Sequence, residues 1–177
     1  MLTTNEFDRF LVLFDRLAGK TNMWIERTPP DKLDWLPIDN ANLRFGDRIS
    51  RATIRNLYVH IAVAEHEAIR NLESCAAGEL LPLPRNPDLG KALASGDLIA
   101  GAMQLHHQSM RTLRGFDAAV LEKRVHFAGD HSVWSVMGFL WGLYAHRAYH
   151  LGNIDLYLRQ ADAAALDFYS FASTEMA

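Results

Sequence analysis

The chain has 177 residues, 49% of them hydrophobic, and a formal net charge of −3 at pH 7. This length and apolar content predict one globular domain over residues 1–177. The mild acidic balance argues against nucleic-acid partners, which need a basic surface. A single cysteine, Cys75, rules out a disulfide within the chain. The longest charge-free apolar stretch, 133–145, is shorter than the ~20 residues that span a bilayer, and the first residues lack a signal-peptide pattern. We therefore expect a cytoplasmic protein with no membrane partner.

Four segments have the three-and-four spacing of apolar residues that is typical of amphipathic helices. They cover about residues 4–26, 50–76, 96–114 and 132–160. Pro29 and Pro30 end the first helix, because proline donates no backbone hydrogen bond. Four long helices without a strong strand pattern predict an all-α fold, a four-helix bundle.

The connections between these helices differ in length and character. About twenty residues separate helices one and two, which is long for a compact domain. This length predicts a long crossover connection between helices one and two, at non-adjacent positions of the bundle. We predict that 80–90 is a loop, that 117–131 is a polar connection, and that the tail after residue 161 packs back on the bundle.

A pair of histidines on helix four points to a metal site. His146 and His150 are four residues apart, so they lie on one helical face about 6 Å apart along the axis. On a helical wheel they fall in the same apolar sector as Phe139, Leu143 and Ile154. Buried polar groups need partners, and one metal ion can satisfy two inward histidines. The alternative is that both histidines only hydrogen-bond to carbonyl, Tyr or Asp oxygens.

His60 is a candidate third ligand on a second helix. It lies at the edge of the apolar face of helix two, beside Leu57 and Ala64. Three neutral imidazoles suit zinc, nickel, copper or iron(II) better than calcium or magnesium, which prefer oxygen ligands. Three protein ligands also leave one position for water or substrate, as in catalytic sites.

Further residues are candidates for the surroundings of such a site. Gly138 and Gly142 lie on one ridge with the two histidines and either line a substrate cavity or permit close helix packing. Glu65 is a candidate general base or neighbour of the ligands, or a structural hydrogen-bonding group. His106 either lines the pocket or is a hydrogen-bonded core histidine. Four other histidines are predicted on the surface or in loops: His66, His107, His126 and His131.

These motifs resemble the DinB-like (YfiT-like) superfamily of four-helix-bundle proteins. Residues 146–154, HRAYHLGNI, are similar to the family's last-helix signature, and residues 57–65, LYVHIAVAE, to its histidine segment on the second helix. Residues 166–168, LDF, resemble its C-terminal segment. Leu151 stands where the family commonly has arginine, and Asn153 where it has glutamine. The shorter Asn153 would change any contact that this position makes beside the ligands.

The resemblance implies a metal site formed by His60, His146 and His150, with nickel or zinc as the divalent ion. It also implies a homodimer, and a second apolar stripe on helix four agrees with that: Trp134, Met137, Trp141 and Tyr144. Related enzymes use low-molecular-weight thiols. We therefore expect a metal-dependent enzyme, either a thiol transferase or isomerase or a hydrolase, acting on a small molecule. The alternative is a stress-response protein that binds a metal or ligand without turnover.

Overall fold

The computed structural model describes residues 4–36, 44–45, 49–50, 52–161 and 163. These residues form six α-helices: α1 (Thr4–Arg27), α2 (Ile54–Ser74), α3 (Pro87–Ser95), α4 (Leu98–Leu113), α5 (Ala118–Glu122) and α6 (Val136–Gln160). One turn of 3-10 helix, Pro30–Lys32, follows α1. Helices dominate and, among the described residues, no sheet closes on itself, so the prediction of an all-α fold is confirmed.

The four long helices α1, α2, α4 and α6 form a bundle. Helices α1 and α2 each pack against both α4 and α6, which places α1 and α2 at opposite corners. The connection between them therefore crosses the bundle, as its length predicts. Of this connection, residues 37–43, 46–48 and 51 lie outside the described residues. Among the described helices, none has the length and apolar character needed to cross a membrane.

Side-chain caps explain where the two helices that carry the histidines begin. Thr53 Oγ1 accepts a hydrogen bond from Asn56 N at 3.1 Å at the start of α2, and Ser135 Oγ accepts one from Gly138 N at 3.0 Å at the start of α6. Each cap satisfies a backbone N–H that has no partner in the first helical turn. Helix α6 begins later than predicted because residues 133–135 are extended.

The two connections predicted as irregular contain regular structure. The described residues include five short strands: β1 (Arg44–Phe45), β2 (Ile49–Ser50), β3 (Leu80–Leu81), β4 (Arg124–Phe127) and β5 (Val133–Ser135). Strand β4 lies between β3, which is parallel to it, and β5, which is antiparallel. A separate antiparallel pair joins β1 and β2. The loop prediction for 80–90 also missed the start of α3. Strands of two to four residues are too short to show a hydrophobic alternation, so apolar periodicity does not predict them.

The second apolar stripe is only partly covered within the chain, since Trp134 lies on β5 and is 36% exposed and Trp141 and Tyr144 are half-buried. Met137 is only 2% exposed. The Trp141 ring meets Phe10 of α1 edge-on at 5.3 Å, and its Nε1 donates to Glu6 Oε1 at 2.9 Å. Helix α1 therefore supplies a partner that the stripe requires. The homodimer stays a prediction that rests on the family resemblance, and the tail after residue 163 lies outside the described residues.

Lys123 caps the C-terminal end of α2 from a distant part of the chain. Its Nζ donates to the carbonyl oxygens of Leu72 at 2.7 Å and Cys75 at 2.5 Å. Charge-assisted bonds to carbonyls at a helix end are stabilising. We expect Lys123→Met to lower the free energy of unfolding by about 1.5–3 kcal/mol, measured by urea denaturation. Lys91→Met, at an exposed lysine on α3, is the control and should change little. Equal effects of the two substitutions would contradict the capping role.

Candidate metal centre

Three histidines from two facing helices converge at one point. His60 of α2 and His146 of α6 are 3.0 Å apart between their Nε2 atoms, and the Nε2 atoms of His146 and His150 are 3.2 Å apart. Each residue offers a ring nitrogen within 4.8 Å of those of the other two. Among the described residues, no further His, Cys, Asp or Glu belongs to this cluster. The rings meet at steep angles, between 69° and 85°. They therefore present nitrogen edges to one another and do not stack.

The nitrogen spacing fits a single transition metal ion. Zinc–imidazole bonds of ~2.1 Å in a tetrahedral site place neighbouring nitrogens about 3.4 Å apart, within a few tenths of an ångström of the two distances observed. Hydrogen bonding alone explains the contacts poorly. His146 Nε2 faces two other Nε2 atoms, but a ring nitrogen carries either one proton or one lone pair. A cation that attracts three lone pairs satisfies all three rings at once.

The site lies at the edge of the bundle and not in its centre. His150 is 4% exposed, whereas His60 and His146 are half-buried. Burial lowers the pKa of His150 from its ordinary value, so the imidazole is neutral at physiological pH, which is the form that binds metals. Tyr149, next to His150 and 61% exposed, meets its ring edge-on at 5.1 Å between centroids. The partly exposed ligands leave a route for a small molecule.

Glu65 is not placed to act as a general base, because its carboxylate is bound by Arg147. The Arg147 Nε lies 2.9 Å from Oε1, and Nη2 lies 2.5 Å from Oε2. Both residues are 3% exposed. Burial raises the pKa of Glu65, and the Arg147 charge opposes that rise. The pair joins α2 to α6 within one or two turns of the three histidines, so it helps to set how these two helices face each other.

His106 also lies apart from the three histidines. Its Nε2 is 2.9 Å from Asp15 Oδ1 on α1, and its ring packs against Phe14 at 5.5 Å. This arrangement favours the interpretation as a hydrogen-bonded core histidine over that of a pocket-lining group. The two residues proposed from the sequence as catalytic are thus each bound by another side chain: Glu65 by Arg147 and His106 by Asp15.

The glycines and Asn153 have local roles that the sequence did not reveal. A Cβ on Gly138 would lie 3.1 Å from Ser135 Oγ, so this glycine belongs to the start of α6. Gly142, one turn before His146, is exposed, and a Cβ there would meet nothing within 4 Å. Asn153 Nδ2 donates to the Tyr149 carbonyl at 2.9 Å, which directs it to its own helix. Of these three residues, Gly142 is the one next to open space.

The surface prediction for His66 is wrong, since this side chain is 8% exposed. Its Nδ1 lies 3.2 Å from Ser109 Oγ on α4. Helix α2 is buried on two sides, because α3 and α4 both pack on it. The sequence signal for this second buried side was the run of four apolar residues from Ile61 to Ala64, which is wider than one helical face.

Buried neutral histidines make the metal-free protein sensitive to acid. Burial lowers the pKa values of His66 and His106 below 6.5, with Asp15 opposing the effect on His106. Each histidine takes up its proton more readily in the unfolded chain, so the stability falls as the pH drops through about 6.5. The slope approaches ~1.4 kcal/mol per pH unit for each histidine. Urea denaturation in a chelator at several pH values checks this. His66→Gln should flatten the slope of the unfolding free energy against pH, whereas His131→Gln, at an exposed position, should not. Identical slopes for the wild type and the two variants would contradict the role of His66.

The fold and the site define a four-helix bundle whose histidines, from two facing helices, are arranged for one metal ion. The model of the DinB superfamily matches residues 13–154, and the chain belongs to this superfamily. No curated protein matches the chain.

Two Bacillus subtilis proteins have similar solved structures. YfiT, described as a probable metal-dependent hydrolase with an unusual four-helix bundle topology, has 14% identity and a TM-score of 0.68, over 93% of this chain and 92% of its own. The DinB-like protein YjoA has 16% identity and a TM-score of 0.64, over 94% and 97%.

Proposed function

We propose that this protein is a metal-dependent hydrolase whose metal is held by His60, His146 and His150. The observation that carries the proposal is the convergence of three Nε2 atoms, two pairs of them 3.0 and 3.2 Å apart, on one side of the α2–α6 contact. The description of YfiT as a probable metal-dependent hydrolase supports the same class of activity. Zinc or nickel suits an all-imidazole ligand set.

The bound ion would supply Lewis acidity, which lowers the pKa of a water molecule or thiol at its remaining position. The chain supplies position and access. Arg147 and Glu65 hold the two ligand-bearing helices together. Gly142 keeps the space one turn before His146 free of side-chain atoms, and Tyr149 lies exposed beside His150. A small substrate could approach from this open side.

The activity test uses protein loaded with one equivalent of zinc or nickel. We expect it to hydrolyse at least one member of a panel of carboxylic esters, amides and phosphoesters, and to lose that turnover in a chelator. His146→Ala should abolish turnover, whereas the exposed His126→Ala should retain it. A parallel panel of low-molecular-weight thiols with electrophiles tests the transferase or isomerase type that the family resemblance implies.

The outcomes separate the alternatives. Turnover only in the thiol panel would replace the hydrolase proposal by a thiol-dependent one. Stoichiometric metal uptake without turnover in either panel would favour a non-catalytic metal- or ligand-binding protein. No metal uptake by the folded protein would mean that the three histidines are structural.

A further inference from the structure

A cavity that opens to solvent lies between α2, α3 and α4, and none of the three metal-site histidines lines it. Its volume is about 620 Å³, within the ~300–1,000 Å³ range of small-molecule sites. His66 is six residues after His60, so the two side chains leave α2 about 120° apart in direction and ~9 Å apart along the axis. The cavity is therefore a different site, and an occupant there need not depend on the metal.

One wall of the cavity is apolar and held close to α4. Leu89 and Leu93 of α3 and Leu105 of α4 line it. Gly101 of α4 permits this packing, because a Cβ at that position would lie 2.6 Å from Leu93 Cδ1. Helix α3 itself is anchored to α2, since Asn86 Nδ2 donates to Glu67 Oε1 at 3.1 Å. The wall is thus a built part of the fold that can cover an apolar group.

The buried His66 lines the cavity and is hydrogen-bonded to α4. The Ser109 hydroxyl donates its one proton to the Leu105 carbonyl at 3.0 Å. His66 Nδ1 lies 3.2 Å from Ser109 Oγ, and His66 also hydrogen-bonds to the Leu105 backbone, so the N–H of the neutral ring is assigned to Nδ1, facing α4. Neutral imidazole has one N–H, so a proton on Nδ1 leaves the lone pair on Nε2. Burial lowers the pKa of His66, so the ring is neutral at physiological pH and adds no positive charge.

The fixed charges of the cavity favour a cation. Glu67 and Asp97 contribute two carboxylates and Arg70 one guanidinium, which gives a net charge of −1. The Glu67 side chain is only 13% exposed, and Asn86 and Arg70 hold it in place. The Arg70 side chain is 61% exposed and already turned to Glu67 at 3.5 Å. Glu67 is therefore a largely buried and fixed acceptor, whereas Asp97, which caps α4 by accepting from Ala100 N, and Arg70 lie at the exposed rim.

We propose that this cavity binds a small organic cation, an amine attached to a compact apolar group. The ammonium N–H groups would donate to His66 Nε2 and the Glu67 carboxylate. The apolar group would lie against Leu89, Leu93 and Leu105. This site is independent of the proposed hydrolase activity, because it uses neither the metal ligands nor the Glu65–Arg147 pair.

The test uses benzylamine as the probe with metal-free protein, followed by backbone NMR and calorimetry. We expect saturable binding in the millimolar range, with shifts centred on α3 and the facing turns of α2 and α4. Benzyl alcohol and benzoate, of similar size, should bind at least about tenfold more weakly, because they lack the cationic donor. Zinc loading should leave the benzylamine affinity unchanged, which separates this site from amine binding at a metal.

Two variants and their controls complete the test. Glu67→Gln keeps an oxygen for Asn86 but removes the charge, and should weaken benzylamine binding about tenfold. Glu73→Gln, at an exposed position of the same helix, should not. Ala100→Leu places a larger side chain in the cavity lining from an exposed helical position and should abolish binding, unlike Ala119→Leu on α5. Tighter binding of benzoate than of benzylamine, no saturable binding of the amine, or unchanged affinity in both cavity variants would overturn the proposal.

Discussion

Replacing Arg147 by methionine should lower the free energy of unfolding by about 3–5 kcal/mol. The substitution would leave the Glu65 carboxylate, 3% exposed, buried without its guanidinium partner. A charge in that position must stay ionised in an apolar environment or take up a proton, and both cost free energy. Urea denaturation of the metal-free protein measures the loss.

A double variant distinguishes the lost partner from lost packing. Glu65→Leu together with Arg147→Met replaces the pair by apolar side chains of similar size, and we expect it to recover most of the stability. Arg159→Met, at the exposed pair with Asp155, should leave the stability nearly unchanged. A double variant as unstable as the single one would contradict this account of the pair.

The same double variant tests whether the pair positions the ligands. Glu65 and Arg147 join the two helices that carry the three histidines. If they set how α2 and α6 face each other, the folded double variant should bind zinc about 10–100-fold more weakly, the range typical of groups that orient metal ligands. Competition with a chromophoric chelator measures the affinity. Wild-type affinity in a stable double variant would restrict the pair to a structural role.

The second large effect is expected at the histidines. His146→Ala should lower the zinc affinity by more than about 100-fold, because a lost ligand costs more than a lost neighbour of a ligand. His146 is the central residue, since its Nε2 faces those of both His60 and His150. The matched control is His126→Ala, which removes an exposed imidazole elsewhere. Similar affinities for the two variants would place the metal outside this group, and circular dichroism checks that both proteins are folded.

The sequence carried enough information to predict the bundle and its diagonal connection. The apolar periodicity of the long helices exceeds four turns, so an error of a few residues does not change the result. The convergence of His60 with the other two histidines could not be predicted from spacing, because the spacing of His146 and His150 relates residues on one helix only. Which turn of α2 faces them depends on contacts between helices, such as the pair of Glu65 with Arg147.

The remaining features depend on long-range contacts that a single sequence does not display. Glu65 and His106 looked available for catalysis because their partners, Arg147 and Asp15, are 82 and 91 residues away in the chain. His66 was predicted on the surface, but Ser109 of α4 contacts it, 43 residues away in the chain. In each case the polar side chain is satisfied by a group that periodicity cannot place.

X-ray absorption of the zinc-loaded protein tests the central claim most directly. We expect one zinc ion per chain with three imidazole nitrogens at ~2.0–2.1 Å and one further light ligand. His146→Ala should lose this signature and His126→Ala should retain it. A first shell of oxygen ligands alone, or a spectrum identical in both variants, would contradict a metal site formed by His60, His146 and His150.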